Sequence, residues 1–545
     1  MSEKHVLKES LVVPPCRVAC PAGIDVPRYI RRIKEGKFDE ALAVIRERIP
    51  FPSICGYACF APCEAGCANR QFGDAIAIRA LKRLAAEKGG GLWRDNLTIA
   101  ASTGKKVAVV GAGPSGLTAA YYLAVLGHRV TVFEALDRAG GMMQGAIPAY
   151  RLPREILDSE ISDIEDVGVE IRTGQQVDSA KTLLHDGFDS VYIACGLQKG
   201  ARLGIEGENL DGTLDGLEFL EAVNRGETVA IGNRVAVIGG GNTAVDAARS
   251  AVRLGAGDVS IVYRRSAAEM PAWEEEVAAA VEEGVKIQYL TIPTGAVAGN
   301  GSLKVTLARM ELGKPDAGGR PVPIQVEGSE FVQEFDTVIA AIGQVPAGSE
   351  ELGVELGKGG YVKADSDTLA TDRAGVYAGG DLVTGPASII DAIAQGRMAA
   401  QSIDKYLGGS GVIDQALTTP EKEVVLSDFE PNARARQAMP CRPLDERKSG
   451  FDAVELGFTA DAAVQEAGRC LNCDARRFEV TLYGDSCKDC SYCAEVCGLD
   501  VFAPAETFNA KGYRPMEVRH PERCVGCRLC YYACPDFAID IIEAA

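Results

Sequence analysis

Cysteine placement constrains this chain more than any other feature. Of its 18 cysteines, six fall within 16–67, two stand at 470 and 473, and eight within 487–534; only Cys195 and Cys441 stand apart. The N-terminus, MSEKHVLKES, has no apolar stretch of the secretory kind. Clustered cysteines in a reducing, cytoplasmic setting read as metal or redox ligands rather than disulfides. The pattern predicts a cysteine-poor middle flanked by cysteine-rich ends. At 545 residues the chain needs several cores, three or four domains by length. No apolar run approaches the ~18–20 residues needed to cross a bilayer. A net charge of −19 argues against nucleic acid as a partner.

Near the C-terminus, Cys487, Cys490, Cys493 and Cys497 make C-x2-C-x2-C-x3-C, and Cys524, Cys527, Cys530 and Cys534 repeat it before Pro535. This is the bacterial ferredoxin run for two cubane clusters, in which the fourth cysteine of each run ligates the other cluster. Cys534 is thus expected to complete the set 487–493, and Cys497 the set 524–530. The first run ends in Cys497-Gly498 instead of Cys-Pro, a minor departure.

The middle carries two nucleotide fingerprints. In KKVAVVGAGPSGLTAAYYLAVLGHRVTVFEA (105–135), Gly111, Gly113 and Gly116 follow an apolar strand and open a helix, and Glu134 closes the next strand. Such glycines allow the turn, the approach of a pyrophosphate and helix–strand packing, and the acid can bind a ribose hydroxyl. Gly140 and Gly141 follow. In NRVAVIGGGNTAVDAARSAVRLGAGDVSIVYRR (233–265) the glycines are Gly239 and Gly241, then Asn242 and Ala244; Tyr263, Arg264 and Arg265 replace the acid. Arginine accommodates a 2′-phosphate that an acid repels, so this site reads as NADP(H) over NAD; the bland alternative is two surface arginines. An acid-tipped unit before an Arg-tipped one implies FAD, then NADP(H). In VYAGGDLVTGPASIIDAIAQGRMAA (376–400), Gly379, Gly380 and Asp381 end a strand, with a helix expected from about Ser388. Asp381 is a candidate for the ribityl chain, or else an ordinary cap.

The stretch 105–407 resembles the two-dinucleotide-binding-domain flavoproteins, and most of all the glutamate synthase small-subunit branch, on GGMMQGAIPAYRLPREILDSEI and YRRSAAEMPA. The resemblance implies an NADPH domain inserted within the FAD domain, with FDTVIAAIGQVP (335–346) returning the chain to the latter. Thioredoxin reductases share the fold but carry a redox C-x-x-C in the NADPH domain, and residues 242–400 here hold no cysteine.

The N-terminal cysteines, Cys16, Cys20, Cys55, Cys59, Cys63 and Cys67, lie among amphipathic stretches and resemble that family's helical iron–sulfur domain, which binds two cubane clusters. The family's usual motif is C-x-x-C, then C-x-x-x-C-P. Here Cys16-x-x-x-Cys20-Pro21 stands without its first half, and EAGRCLNCD supplies the missing half at Cys470 and Cys473. The resemblance therefore implies a rearranged motif that folds back. One cluster would take Cys470, Cys473, Cys16 and Cys67, and the second Cys20, Cys59 and Cys63. The family's further ligand, a Glu or Gln on the following helix, corresponds to Lys82, which as an ammonium cannot ligate; Cys55 is the substitute. Zinc is the rival at these sites.

The expected organisation is multidomain α/β: a helical iron–sulfur domain at 1–100; an FAD domain at 101–231 and 335–410; an NADPH domain at 232–334; a linker at 411–475 with little core, carrying the returning C-x-x-C; and a ferredoxin-like domain at 476–545. Expected cofactors are FAD, NADP(H) and four [4Fe–4S] clusters. Nicotinamide exchanges hydride, clusters exchange single electrons, and a flavin converts between them. The four histidines, at 5, 128, 185 and 520, are scattered, and no catalytic residue is expected. With no segment left over for substrate conversion, the chain is expected to serve a redox partner protein, a catalytic subunit or a ferredoxin, in a hetero-oligomer. The alternative is a glutamate synthase small subunit proper.

Overall fold

The computed structural model describes residues 5–7, 13–316, 318–421, 424–426 and 435–543. The side chain of His5 and parts of the expected linker, 422–423 and 427–434, lie outside them. The chain divides into two compact units: residues 1–97, 414–439 and 457–545, and residues 98–413 and 440–456.

The second unit is built on two parallel sheets. The first has the order Val376–Ala378, Ser190–Ile193, Lys106–Val110, Arg129–Phe133, Glu170–Arg172. Its central strand, KVAVV, is buried at every position after Lys106, as a strand covered on both faces must be. The helix Pro114–Val125 begins with proline in its first turn, where a missing N–H costs nothing. It packs along Ile389–Tyr406, where a Cβ on Gly396 would collide with the Ser115 carbonyl.

The second sheet has the order Lys286–Gln288, Asp258–Val262, Arg234–Ile238, Thr337–Ala340, Thr213–Asp215. It takes in Thr213–Asp215 and Thr337–Ala340, so the second nucleotide domain reaches past 232–334 on both sides. The sequence within FDTVIAAIG does not return the chain at once: Thr337–Ala340 pairs with Arg234–Ile238 in parallel, beside the second fingerprint. An antiparallel sheet of Thr291–Ala298, Leu303–Pro315, Pro321–Gln325 and Phe331–Phe335 is attached.

A buried charge network joins the two nucleotide domains. Arg151 Nη1 donates to both oxygens of Asp246, at 3.0 and 2.7 Å. Glu283, 2% exposed, accepts from Arg249 and Arg253. The Arg253 guanidinium lies 3.9 Å from the Tyr150 ring centre. Residues 440–456 pack here too: Val454 N donates to Tyr150 O (2.9 Å) and Arg447 pairs with Glu282 (3.0 Å).

In the first unit, short helices enclose the N-terminal cysteines, chiefly Val26–Lys34, Phe38–Arg46, Pro52–Ala58 and Ile78–Lys88. The expected linker is not bare. Leu417 is buried with Leu42, Ala43 and Trp93, and the helix Ala460–Ala467 buries Ala463, Glu466 and Ala467. The C-terminal part pairs Phe478–Leu482 with Ile539–Glu543 and Phe502–Pro504 with Met516–Val518, around a core containing Cys487, Cys493 and Cys530.

Candidate redox sites

The first nucleotide site sits at the C-terminal end of Lys106–Val110. Gly111 has φ 103°, and a Cβ there would stand 2.6 Å from the Ala194 carbonyl oxygen, so only glycine fits. Gly116 lies against the Gly111 carbonyl, while the position above Gly113 is open. Gly140 N donates to Ala112 O (2.8 Å), bringing Gly140 and Gly141 against this loop. Glu134 is buried, its two oxygens accepting from Ala112 N (2.8 Å) and Leu136 N (3.0 Å). Each retains a lone pair for a ribose hydroxyl. Gly380 N donates to Gln395 Oε1 (2.6 Å), and Asp381 opens a short helix beside it. Burial pushes the Asp381 carboxyl up to about 6; Asp391 adds to this and the Ala387 amide opposes it. Ser388 caps the following helix through a capping box with Asp391, at the start expected from the sequence.

The second site repeats the geometry on Arg234–Ile238. Gly239 has φ 145° and abuts the Ala341 carbonyl, the space above Gly241 is open, and Asn242 begins the helix Asn242–Arg253. Asn242 Oδ1 accepts from Trp273 N (3.0 Å), which holds the loop after the second strand. The two arginines differ. Arg264 is exposed; Arg265 is buried and its Nε donates to Pro321 O (2.9 Å). A third arginine joins them: Arg320 Nη2 donates to Tyr263 Oη (3.1 Å) and Glu269 O (2.6 Å). It comes from the turn between Leu303–Pro315 and Pro321–Gln325, and no local motif marks it.

The cysteines gather in four sets. Cys16, Cys67, Cys470 and Cys473 line one cavity with Ile30 and Leu471. Cys487, Cys490, Cys493 and Cys534 line another with Met516 and Ile539. Cys497 acts electrostatically on Cys524, Cys527 and Cys530. Cys20, Cys55, Cys59 and Cys63 all act on the buried Lys82. Burial, reinforced by neighbouring thiols, pushes these groups upward: Cys470 to about 12, Cys493 and Cys524 to about 11, Cys530 to about 12. Ligation requires thiolates, so a metal centre here must displace protons. Among the described residues, no three His, Cys, Asp or Glu side chains are arranged around one metal ion. Two of the sets stand around cavities: Cys16, Cys67, Cys470 and Cys473, and Cys487, Cys490, Cys493 and Cys534. His128 bonds Asp404 (2.9 Å) and Thr103 (2.8 Å) within the first nucleotide domain.

The family description "pyridine nucleotide-disulphide oxidoreductase" matches residues 84–183 and 105–396, the span that holds both nucleotide sites. The chain belongs to this family. To this pyridine nucleotide-disulphide oxidoreductase are joined two iron–sulfur regions: residues 11–90 match "dihydropyrimidine dehydrogenase domain II, 4Fe-4S cluster", and 486–538 match "4Fe-4S dicluster domain". Among its relatives is the beta subunit of the NADP(+)-dependent formate dehydrogenase of Moorella thermoacetica, 43% identical over 499 residues, covering 85% of this chain and 71% of that one. The beta subunit of the NADPH-Fe(3+) oxidoreductase of Geobacter sulfurreducens is 38% identical over 507 residues (84% and 75%). The glutamate synthase [NADPH] small chain of Escherichia coli is 35% identical over 420 residues (72% and 89%). The chain is an NAD(P)H-dependent flavin and iron–sulfur oxidoreductase of the electron-transfer-subunit type. The resemblance read from GGMMQGAIPAYRLPREILDSEI holds, and no described helix is long and apolar enough to cross a membrane.

Sequence reading missed three features of this oxidoreductase: Arg320, the ion pair of Arg31 with Asp474, and the thiol surroundings of Lys82. The first two are tertiary juxtapositions without a motif. The third had a signal, since a lysine at a position where the resemblance implies a ligand must have its charge met by something.

Proposed function

We propose that this chain binds one FAD, NADP(H) and four [4Fe–4S] clusters, and exchanges electrons with a partner oxidoreductase or a ferredoxin in a cytoplasmic hetero-oligomer. The observation that carries the reading is the convergence of Cys470 and Cys473 with Cys16 and Cys67 around one cavity. It supports a complete four-thiolate set where the N-terminal motif by itself is half a motif. Cys20, Cys55, Cys59 and Cys63 form the second set, and the eight C-terminal cysteines the third and fourth.

Bound at Gly111–Glu134, a flavin would exchange hydride with a nicotinamide and single electrons with the clusters. The protein's own groups prepare the two nucleotide sites. Glu134 is fixed by two amides and keeps acceptor capacity for a ribose hydroxyl. Gly113 and Gly241 leave the pyrophosphate approaches open, and the helices from Pro114 and Asn242 aim their N-termini at them. Asp381, with its raised affinity for a proton, is suited to hydrogen-bond a ribityl hydroxyl as donor or acceptor. Arg264 and Arg265 favour a 2′-phosphate. An apolar cluster of Ala68, Leu471 and Val525 has Cys473 and Cys527 against it, which favours exchange between the N-terminal and C-terminal clusters.

The alternative, a glutamate synthase small subunit proper, leaves the dicluster region at 486–538 without a task. Anaerobic purification followed by iron and flavin assay tests the proposal: ~16 iron atoms per chain are expected from four cubanes, with one FAD bleached by NADPH. Iron near half that, with no loss in handling, removes the N-terminal pair. Co-purification of the native protein identifies the partner.

A further inference from the structure

We propose that the ferredoxin-like region takes its electron from the first N-terminal cluster at the contact of Leu471 with Val525, and that its two clusters act in a fixed order. The set Cys497, Cys524, Cys527 and Cys530 receives the electron; the set Cys487, Cys490, Cys493 and Cys534 releases it to a protein that accepts one electron at a time. The inference rests on the reading above that these two sets, and Cys16, Cys67, Cys470 and Cys473, hold [4Fe–4S] clusters.

Leu471 lies between the two cysteines of the returning C-x-x-C, and Val525 between Cys524 and Cys527. Both side chains are buried and share one apolar cluster with Ala68; Phe72, Cys473, Leu499 and Cys527 pack against it. The N-terminal helices, the returning segment and the second ferredoxin run therefore meet at one place, inside one compact unit. Polar ties flank the contact. Arg476 is buried and donates from Nε to Leu471 O (3.2 Å) and from Nη1 to Glu543 Oε1 (2.6 Å). It thereby joins the C-x-x-C turn to the last strand, Ile539–Glu543. Gly498 stands where the ferredoxin run ordinarily has proline. It faces Gln71, at the end of the turn Ala68–Gln71: a Cβ on Gly498 would stand 2.7 Å from Gln71 Nε2. Glycine in place of proline leaves room for this neighbour from the N-terminal region.

The other ferredoxin set is surrounded differently. The cavity that Cys487, Cys490, Cys493 and Cys534 line is walled only by residues from 482–539, among them Leu482, Met516 and Ile539. Tyr492, next to Cys493, is 50% exposed, and Phe537, next to the wall residue Asp536, is 75% exposed. One ferredoxin set thus borders the N-terminal region, and the other lies within its own region with side chains in solvent beside it. Each transfer moves one electron: the donor cluster is oxidised by one, the acceptor cluster is reduced by one, no bond forms or breaks, and no proton is required. The overlap that carries an electron falls steeply with separation, so the electron passes to the adjoining set first. The electrons come singly from the nucleotide-reduced flavin of the established activity.

The test uses the full chain, low-temperature electron paramagnetic resonance, and iron measured on every sample. Cys470→Ser, Cys530→Ser and Cys490→Ser each remove one set, and dithionite, a reductant acting from solution, shows which signals remain. Reduction by NADPH then reports the route. Cys470→Ser is expected to slow the reduction of both ferredoxin sets at least tenfold, and Cys530→Ser that of the Cys487 set. In Cys490→Ser, NADPH is expected still to reduce the Cys524 set. Reduction of a ferredoxin set at the unaltered rate in Cys470→Ser, or of the Cys487 set in Cys530→Ser, overturns the proposal, as does failure to reduce the Cys524 set in Cys490→Ser. A second readout needs no NADPH. In the fully reduced chain, spin–spin broadening of the Cys470 set's signal is expected to lessen in Cys530→Ser and to persist in Cys490→Ser; the reverse, or no change in either, overturns the proposal. Where a serine variant loses more than one cluster's iron, Arg476→Met, which removes no ligand, replaces it: with iron unchanged the broadening is expected to lessen, and an unchanged signal overturns the proposal. Iron short of ~16 atoms in the unaltered protein refutes the cluster reading beneath the proposal instead, so the two failures are distinguishable.

Discussion

Arg31 and Asp474, 443 residues apart in sequence, form a two-pronged ion pair: Nη1 donates to Oδ1 at 2.8 Å and Nη2 to Oδ2 at 2.7 Å. Asp474 directly follows Cys473, so the pair holds the returning C-x-x-C on the helix Val26–Lys34. Arg31 Nη2 also pairs with Glu421 at 2.5 Å. Glu466 adds a second tie, accepting from Ala77 N (2.8 Å). These contacts hold the returning segment against the N-terminal helices, beside the cavity lined by Cys16, Cys67, Cys470 and Cys473.

Changing Cys470 and Cys473 to Ser is expected to remove about one cluster's iron and to speed proteolysis within 1–90. Asp474→Asn, which leaves Arg31 with Glu421 alone, is expected to cost about 1.5–3 kcal/mol, read as a lower urea midpoint. Iron and N-terminal protection both at wild-type levels in the double serine variant would sink the idea of a folded-back motif.

The three arginines of the second nucleotide site are expected to contribute unequally. Arg264→Ala should raise the KM for NADPH far more than for NADH, by about 1.5–3 kcal/mol of lost phosphate contact. Arg265→Ala should do the same and also lower thermal stability, because its Nε holds Pro321 O. Arg320→Ala is expected to have a smaller effect on NADPH, through Tyr263. Equal flavin reduction rates with NADPH and NADH in the unaltered protein would contradict the assignment.

Asp381 gives a pH dependence. Its folded-state pKa is raised from 3.8 to about 6, so the flavin-free protein holds this proton more tightly than the unfolded chain does. The associated stability is present in full below pH 3.8 and is lost as pH rises through 6. Relative to Asp381→Asn, the flavin-free wild type is expected to lose melting temperature between pH 4 and 7. Parallel curves for the two proteins over that interval would show the carboxyl to be hydrated.

The network between the nucleotide domains offers a stability test. Glu283→Gln leaves Arg249 and Arg253 without the carboxylate both share, and about 3–5 kcal/mol should be lost. Denaturation monitored by flavin release measures it; a change under about 1 kcal/mol would mean that water reaches the pair.

Much was legible in the sequence because it is written locally. Gly111, Gly113 and Gly116 must be glycine for reasons confined to one turn, and the two ferredoxin runs space their ligands along a few turns of chain. Those motifs named both nucleotide folds and the dicluster region directly. The domain limits were less legible: Thr213–Asp215 and Thr337–Ala340 are short apolar strands like many others, and only their pairing with Arg234–Ile238 puts them in the second sheet. Arg320 lay beyond reach for the same reason, and for Lys82 the position was legible but not its surroundings. A side chain's charge is written in the sequence, but what faces it depends on how distant segments pack. Alone, the sequence determined which groups could hold nucleotides and metal centres. The tertiary structure decided which cysteines share a cavity, which arginine is exposed and which is buried, and that a lysine is buried, because burial and pairing are properties of surfaces brought together across hundreds of residues.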